Sequence, residues 1–354
     1  MKKHNFSAGP CALPQEVLKQ ASEAILNFNN LDLSLIEISH RSKDFVDVME
    51  EARELALELL GLQGKGYKAL FLQGGASLQF VMTAYNLLEN KAGYLNTGTW
   101  SDKALKEAKF FGEVVEVASS KDKNYNYIPK VYTVPKDLDY LHVTSNNTIF
   151  GTQIKNFPDV DCPLVADMSS DIFSRELDFS KFDLIYAGAQ KNMGPAGTTL
   201  VVIDEDILGK VTRKIPSMLD YATHISKGSM FNTPPVFAVY VSLLTLKWLK
   251  GQGGISGIQE ENDKKAKLIY SEIDINPLFK GFSAIEDRSN MNATFNIIED
   301  NLKETFDTML KEAGINGLNG HRSVGGYRAS MYNALSLKSV GTLVDVMSEL
   351  ERKA

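Results

Sequence analysis

The feature that most constrains this chain is a rhythm. Between about residues 45 and 250, short apolar runs alternate with segments whose apolar positions recur at helical spacing. The runs are ALFL (69–72), AGYL (92–95), VVEV (114–117), YLHV (140–143), PLVA (163–166), LIYAG (184–188) and TLVVI (199–203). Continuous apolar runs of this length read as strands covered on both faces. The stretches LQFVMTAYNLL (78–88) and SDKALKEAKFFG (101–112) read as helices between them. Strands and helices in alternation predict a largely parallel sheet covered by helices. A further helix, VYVSLLTLKWLKGQGG (239–254), closes this region, with glycines as its stop signal.

Beyond about residue 255 the texture changes. A charged helix (258–273), a strand ATFNII (293–298), a helix (301–314), a Gly-rich stretch, YRASMYN (327–333) and a terminal amphipathic helix from about 338 read as a smaller α+β unit. The Pro/Gly-rich arm at the N-terminus is expected to pack with it. The expected fold class is therefore α/β. A large domain spans 16–255, and a small one combines 1–15 with 256–354.

The 354 residues carry a formal net charge of −6, which argues against nucleic acid or an anionic membrane as partner. Any anion must be held by a local cluster of cations. The two cysteines, Cys11 and Cys162, are far apart, and the five histidines show no metal-ligand spacing, so no disulfide framework and no metal site are expected. MKKHNFSAGPCALP lacks the apolar core of a signal peptide, and no run of about 18 apolar residues could span a membrane. A cytoplasmic location is the expectation.

Ligands of open α/β sheets bind beyond the carboxyl ends of the strands. Three such exits carry reactive groups. After ALFL comes Gln73-Gly74-Gly75-Ala76-Ser77, opening a helix. Bare N–H groups and a hydroxyl there suit a phosphate, although a Gly-Gly turn with a serine cap reads the same way. After PLVA comes Asp167, a helix cap or a catalytic acid. After LIYAG comes Lys191, between Gln190 and the small-residue turn Asn192 to Gly197, either a solvated loop cation or a nucleophile with room above it for something flat. Together they supply what pyridoxal phosphate needs: a phosphate cradle, a lysine for a Schiff base and an acid facing the ring nitrogen. Trp100, after a fourth strand, is either a core residue or a cover for that ring.

Seven stretches carry a resemblance that runs nearly end to end: NFSAGPCALP, EISHRSKDF, LQGGASLQF, ADMSSDIFSR, YAGAQKNMGPAG, GSMFNTPP and GHRSVGGYRASMYNA. On these the chain resembles the phosphoserine aminotransferases, a branch of the class V aminotransferases with the fold-type I architecture. The resemblance implies reversible ping-pong transamination of 3-phosphohydroxypyruvate with glutamate to phosphoserine and 2-oxoglutarate. Some bacterial members also act on phosphohydroxythreonine. It implies that Lys191 forms the Schiff base and then serves as base, that Asp167 pairs with the ring nitrogen, that Trp100 stacks on the ring and that Thr148 reaches its phenolic oxygen. Ala76, Ser77, Ser169 and Gln190 would line the phosphate and ring. Asn232 and Thr233 would hold the phosphate of the cofactor in a partner subunit, making the active enzyme a homodimer. Arg328 would grip the substrate α-carboxylate, and His40, Arg41, His321 and Arg322 would form the distal anion site.

One position departs from the pattern: many relatives carry an arginine in the glycine turn where this chain has Ser77. Competing readings are a cysteine desulfurase or an alanine-glyoxylate-type aminotransferase on the same cofactor, a nicotinamide dehydrogenase and a non-catalytic binding module. A desulfurase needs a nucleophilic cysteine on a mobile loop. Cys162 is expected to begin a buried strand and Cys11 to lie in the N-terminal arm. The cluster GQGGISG (251–257) follows a helix and lacks the dinucleotide-binding spacing.

Overall fold

A computed structural model describes residues 3–354. Its centre is a seven-stranded sheet in the order Tyr67–Leu72, Thr199–Asp204, Leu184–Gly188, Leu164–Asp167, Tyr140–Thr144, Lys91–Asn96, Glu113–Ser119. Thr199–Asp204 is antiparallel to both neighbours, and the remaining pairs are parallel. Tyr67–Leu72 is thus antiparallel to an antiparallel strand and runs with the rest. The residues after Leu72, Asn96, Thr144, Asp167 and Gly188 therefore leave the same edge of the sheet.

Side chains alternate across each strand, and the two faces bury different sets. Ala69, Phe71, Leu164, Ala166, Ile185 and Ala187 join one core. Leu70, Leu72, Val165, Leu184, Tyr186 and Tyr94 join the other. The first is covered by Lys43–Leu59, through Phe45, Met49 and Ala52, and by Val236–Gly251, through Val239, Leu243 and Leu246. The second is covered by Gly75–Leu87, through Phe80 and Ala84, and by Thr99–Ala108, through Ala104 and Leu105. Coverage on both sides explains why these strands read as unbroken apolar runs.

A further core forms around a three-stranded antiparallel sheet of Phe279–Gly281, Asn292–Ile297 and Tyr327–Ser330. Helices Gly254–Ile275, Lys303–Glu312 and Leu337–Lys353 pack on it through Ile269, Phe306 and Leu343. The N-terminal arm joins here: His4–Asn5 pairs in parallel with Ile315–Asn316, and Phe6 is fully buried in this core. Phe306 stands edge on to two other rings, centred 5.3 Å from Phe279 and 5.1 Å from Tyr327. It is 0% exposed. Phe306→Ala is expected to destabilise the protein by about 3–5 kcal/mol, because the cavity adds to the lost transfer energy. Equilibrium denaturation measures this, and a loss below about 1 kcal/mol would show that the cluster collapses to fill the space.

Among the described residues no helix is long and apolar enough to cross a membrane. Cys162 departs from expectation. It is half-buried and precedes the strand, which starts at Leu164.

Candidate active site

Asp167 ends its strand and Lys191 follows the neighbouring one by three residues, so sheet register alone brings the two exits together. Asp167 is 5% exposed, and its Oδ1 accepts a hydrogen bond from the Ser169 backbone N–H at 2.9 Å. Burial raises its pKa, opposed first by the charge of Lys191. Burial also lowers the pKa of Lys191, against the pull of Asp167 and with the help of Arg328. Each charge is tolerated because the other is near. A lysine with a lowered pKa is the one that can become a neutral nucleophile near neutral pH.

The turn around Lys191 is held from several sides. Asn192 donates to the Ser170 carbonyl at 2.9 Å and accepts from the Asn333 backbone N–H at 3.1 Å. Ser169 Oγ accepts from the Gly188 N–H at 3.2 Å. The N-terminal arm crosses here too. Cys11 Sγ donates to the Lys191 carbonyl at 2.6 Å. A Cβ on Gly9, whose φ is +128°, would lie 3.3 Å from Lys191 Cγ. Sequence reasoning placed the arm with the smaller core and missed its second contact; the local signal for it was the small pair Ala8-Gly9. The Cys11 thiol is pushed up to about 12 by burial, so it stays protonated beside the lysine. That argues against Cys11 as the nucleophilic thiolate a desulfurase would require.

Trp100 opens the helix Thr99–Ala108, and the Lys191 Nζ lies 5.8 Å from its ring centroid. Thr97 and Gly98 press against Asn147: Asn147 Nδ2 donates to Thr97 Oγ1 at 3.2 Å, and a Cβ on Gly98 would meet Asn147 Oδ1 at 2.5 Å. This contact ties the segment bearing Trp100 to the one bearing Thr148. The Thr148 hydroxyl, the Trp100 indole N–H and Arg328 Nε are all buried without a hydrogen-bond partner. Of these, Trp100 lies over the half-buried Lys191 and Arg328 acts on it through its charge, so donors that a ligand could meet stand near the lysine.

At the next exit, Gly74 (φ +89°) and Gly75 (φ +66°) turn the chain into the helix Gly75–Leu87, leaving Ala76 and Ser77 in its first turn. Free N–H groups at that end suit a phosphate. Gln73 donates to the Thr233 carbonyl at 2.7 Å, which places Asn232 and Thr233 beside the glycine turn within one chain.

Arg328 lies on Tyr327–Ser330, part of the smaller core, and its charge acts on Lys191. His321 and Arg322 are exposed, in the loop before it, and His321 has its pKa lowered by burial and by the charges of Arg328, Arg322 and Lys103. Lys103 is a residue that sequence reasoning missed. Its position three residues after Trp100 on one helix was the available signal. His40 and Arg41 fall in an irregular stretch before the helix Lys43–Leu59, with Arg41 exposed. No contact joins them to Lys191 within the chain among the described residues.

A family model described as aminotransferase class-V matches residues 3–343. The chain belongs to the class V aminotransferases. This aminotransferase is 69% identical to the phosphoserine aminotransferase of Flavobacterium psychrophilum, over 100% of both chains. It is 44% identical to the solved phosphoserine aminotransferase of Bacillus circulans subsp. alkalophilus, covering 99% of each with a TM-score of 0.96. It is 37% identical to a phosphoserine aminotransferase from Trichomonas vaginalis solved with pyridoxal phosphate bound, at a TM-score of 0.93 and covering 98% of this chain and 100% of that one.

Proposed function

We propose that this chain is a phosphoserine aminotransferase that uses pyridoxal phosphate to pass an amino group between glutamate and 3-phosphohydroxypyruvate. The observation that carries the reading is the pairing of the half-buried Lys191 with the buried Asp167, with the Trp100 ring centred 5.8 Å from the Lys191 Nζ. A flat heteroaromatic ring with a phenolic oxygen and a basic nitrogen fits that donor set. Full-length identity to named phosphoserine aminotransferases supports the substrate assignment.

Pyridoxal phosphate, when bound, supplies an aldehyde carbon for amine exchange and a ring that withdraws electrons. Lys191 would hold it through the ε-amine, and the same amine, once free, takes the proton from the substrate Cα. Asp167 would face the ring nitrogen. A cationic ring nitrogen would favour the ionised carboxylate as Lys191 does now. Trp100 and Gln190 would cover the ring, Thr148 would meet its phenolic oxygen, and Ala76, Ser77 and Ser169 would line the phosphate end. Arg328 would take the substrate α-carboxylate through its planar fork.

In this reading residues 16–255 form the cofactor domain, with 1–15 and 256–354 as the second. The enzyme works as a cytoplasmic homodimer. Support for the dimer comes from apolar side chains left open near His40, Arg41, Asn232 and Thr233 in the chain. Leu31, Leu33 and Ile36 stand 40%, 50% and 62% exposed in the segment before His40 and Arg41, and Phe231 and Phe237 stand 38% and 37% exposed on either side of Asn232 and Thr233. Apolar side chains left open next to binding residues fit a face covered by a second copy.

Single-turnover half-reactions test the function: phosphoserine is expected to convert the bound cofactor to its amine form, and cysteine is not expected to release sulfide. Sulfide release without phosphoserine turnover would overturn the reading. Arg41→Ala is expected to raise the KM for phosphoserine more than about tenfold through loss of a bidentate anion contact. An unchanged KM would remove Arg41 from the distal site.

A further inference from the structure

Lys103 is a cation near the site to which the aminotransferase reading gives no role. Lys103 lies in the helix Thr99–Ala108, three residues after Trp100, and its Nζ sits 4.7 Å from the Trp100 ring centroid. The ring it touches is the one that has the Lys191 Nζ at 5.8 Å. A helical lysine can pair with a carboxylate one turn away. Lys106 does so, with Asp102 at 2.6 Å. For Lys103 that partner would be Glu107, at i+4. Yet among the described residues Lys103 forms no ion pair and is directed back over the indole instead.

Lys103 also belongs to a group. His321 responds to the charges of Arg328, Arg322 and Lys103 together. Neither Arg322 nor Arg328 has a carboxylate partner among the described residues, and Arg328 Nε is buried without a hydrogen bond. In a chain of net charge −6, three neighbouring cations are left open. Like charges placed together cost free energy unless an anion joins them. One anion, the α-carboxylate, is assigned to Arg328. The remaining positive charge is available to a second anionic group on the same ligand, on the side of Trp100 and His321.

We propose that Lys103 is a binding residue for the distal phosphate of the substrate, acting with His321 and Arg322 and held in place by the face of Trp100. This rests on the phosphoserine reading and adds the residue that favours a phosphate over a plain side chain. An ammonium suits this role, because its three rotatable donors accept a phosphate or a γ-carboxylate without a fixed fork geometry. The indole face orients the side chain while leaving those donors free.

The test uses the holoenzyme and three probes: phosphoserine, alanine as an amino donor with no distal anion, and inorganic phosphate as a competitive inhibitor. Lys103→Met, which keeps the apolar stem on Trp100, is expected to raise both the KM for phosphoserine and the Ki of inorganic phosphate about tenfold. The kcat for phosphoserine and the slow half-reaction with alanine should stay within about twofold, and Lys103→Arg should recover most of the loss. An unchanged KM and Ki in Lys103→Met would overturn the proposal, as would an equal loss with alanine, which would mean that Lys103 only supports Trp100. If the parent enzyme showed no preference for phosphoserine over alanine, the phosphoserine reading would fall, and this inference with it. A parent that prefers phosphoserine and a variant that matches it would sink the Lys103 assignment alone.

Discussion

Lys191→Ala is expected to lower transamination at least about a thousandfold, because it deletes the amine proposed as both attachment point and base. The variant should also lose the visible absorbance of the lysine-bound cofactor, while pyridoxal phosphate can still associate through the glycine turn and Trp100. Folding should survive. In the free protein burial holds the Lys191 pKa below its ordinary value, so the unfolded chain binds more protons at that site than the folded one does. By linkage, that lysine costs stability at neutral pH, and the cost shrinks as pH rises from the folded-state pKa toward the unfolded one. Its removal leaves Asp167 buried without its countercharge, and the carboxyl answers by keeping its proton more readily. The thermal midpoint of the cofactor-free variant should therefore lie within a few degrees of the parent. Sodium borohydride treatment and peptide mapping give an independent check. Cofactor recovered on any lysine other than Lys191 would refute the assignment, as would a variant that keeps a tenth of the parent rate.

Asp167→Asn should cut kcat by about a hundredfold or more while leaving KM nearly unchanged. The carboxylate is 5% exposed and lies at the end of a buried strand, where a charge acts through little solvent. Asparagine keeps the shape and can still accept from the Ser169 N–H, so the loss reports the charge and not the packing. The same variant should shift the pH dependence. Asp167 opposes the fall in the Lys191 pKa, so without it the lysine loses its proton at lower pH. An alkaline shift in that titration, or a kcat within about threefold of the parent, would mean that Asp167 caps its turn and does nothing more. Asp167→Glu separates the two roles further. It restores the charge but pushes a methylene into a site closed by Tyr186 and Ser169, and should recover only part of the rate.

The strand and helix order was legible in the sequence because each strand at the centre of the large sheet is covered on both faces. Leu184 to Gly188 and Tyr140 to Thr144 are buried throughout, so they stand out as apolar runs against helices with one polar side. The candidate site was legible for a related reason: strand ends are where a parallel sheet exposes its turns, and Asp167 and Lys191 each lie at such an end. The contacts of Cys11 and Lys103 were not legible. Cys11 meets the Lys191 carbonyl across a separation of 180 residues, and no local pattern encodes that distance. Lys103 reads as one more helical lysine, because its choice of Trp100 over Glu107 depends on what surrounds the helix. Arg41 shows the opposite case. Its residue type and its neighbour His40 suggested an anion site, yet within one chain it stays exposed and, among the described residues, meets no group of the candidate site.

By itself, the sequence determined the alternation of elements, the edge of the sheet where chemistry could gather and which lysine and acid stand there as candidates. These follow from side-chain periodicity and from the chemical demands on a few residues, and both are local. Tertiary structure decided which exits face one another, that the N-terminal arm crosses from one core to brace the lysine of the other, and which cations remain unpaired. Those outcomes depend on register and packing between segments far apart in the chain, where burial lowers the pKa of Lys191, raises that of Asp167 and leaves polar atoms of Trp100, Thr148 and Arg328 unpaired.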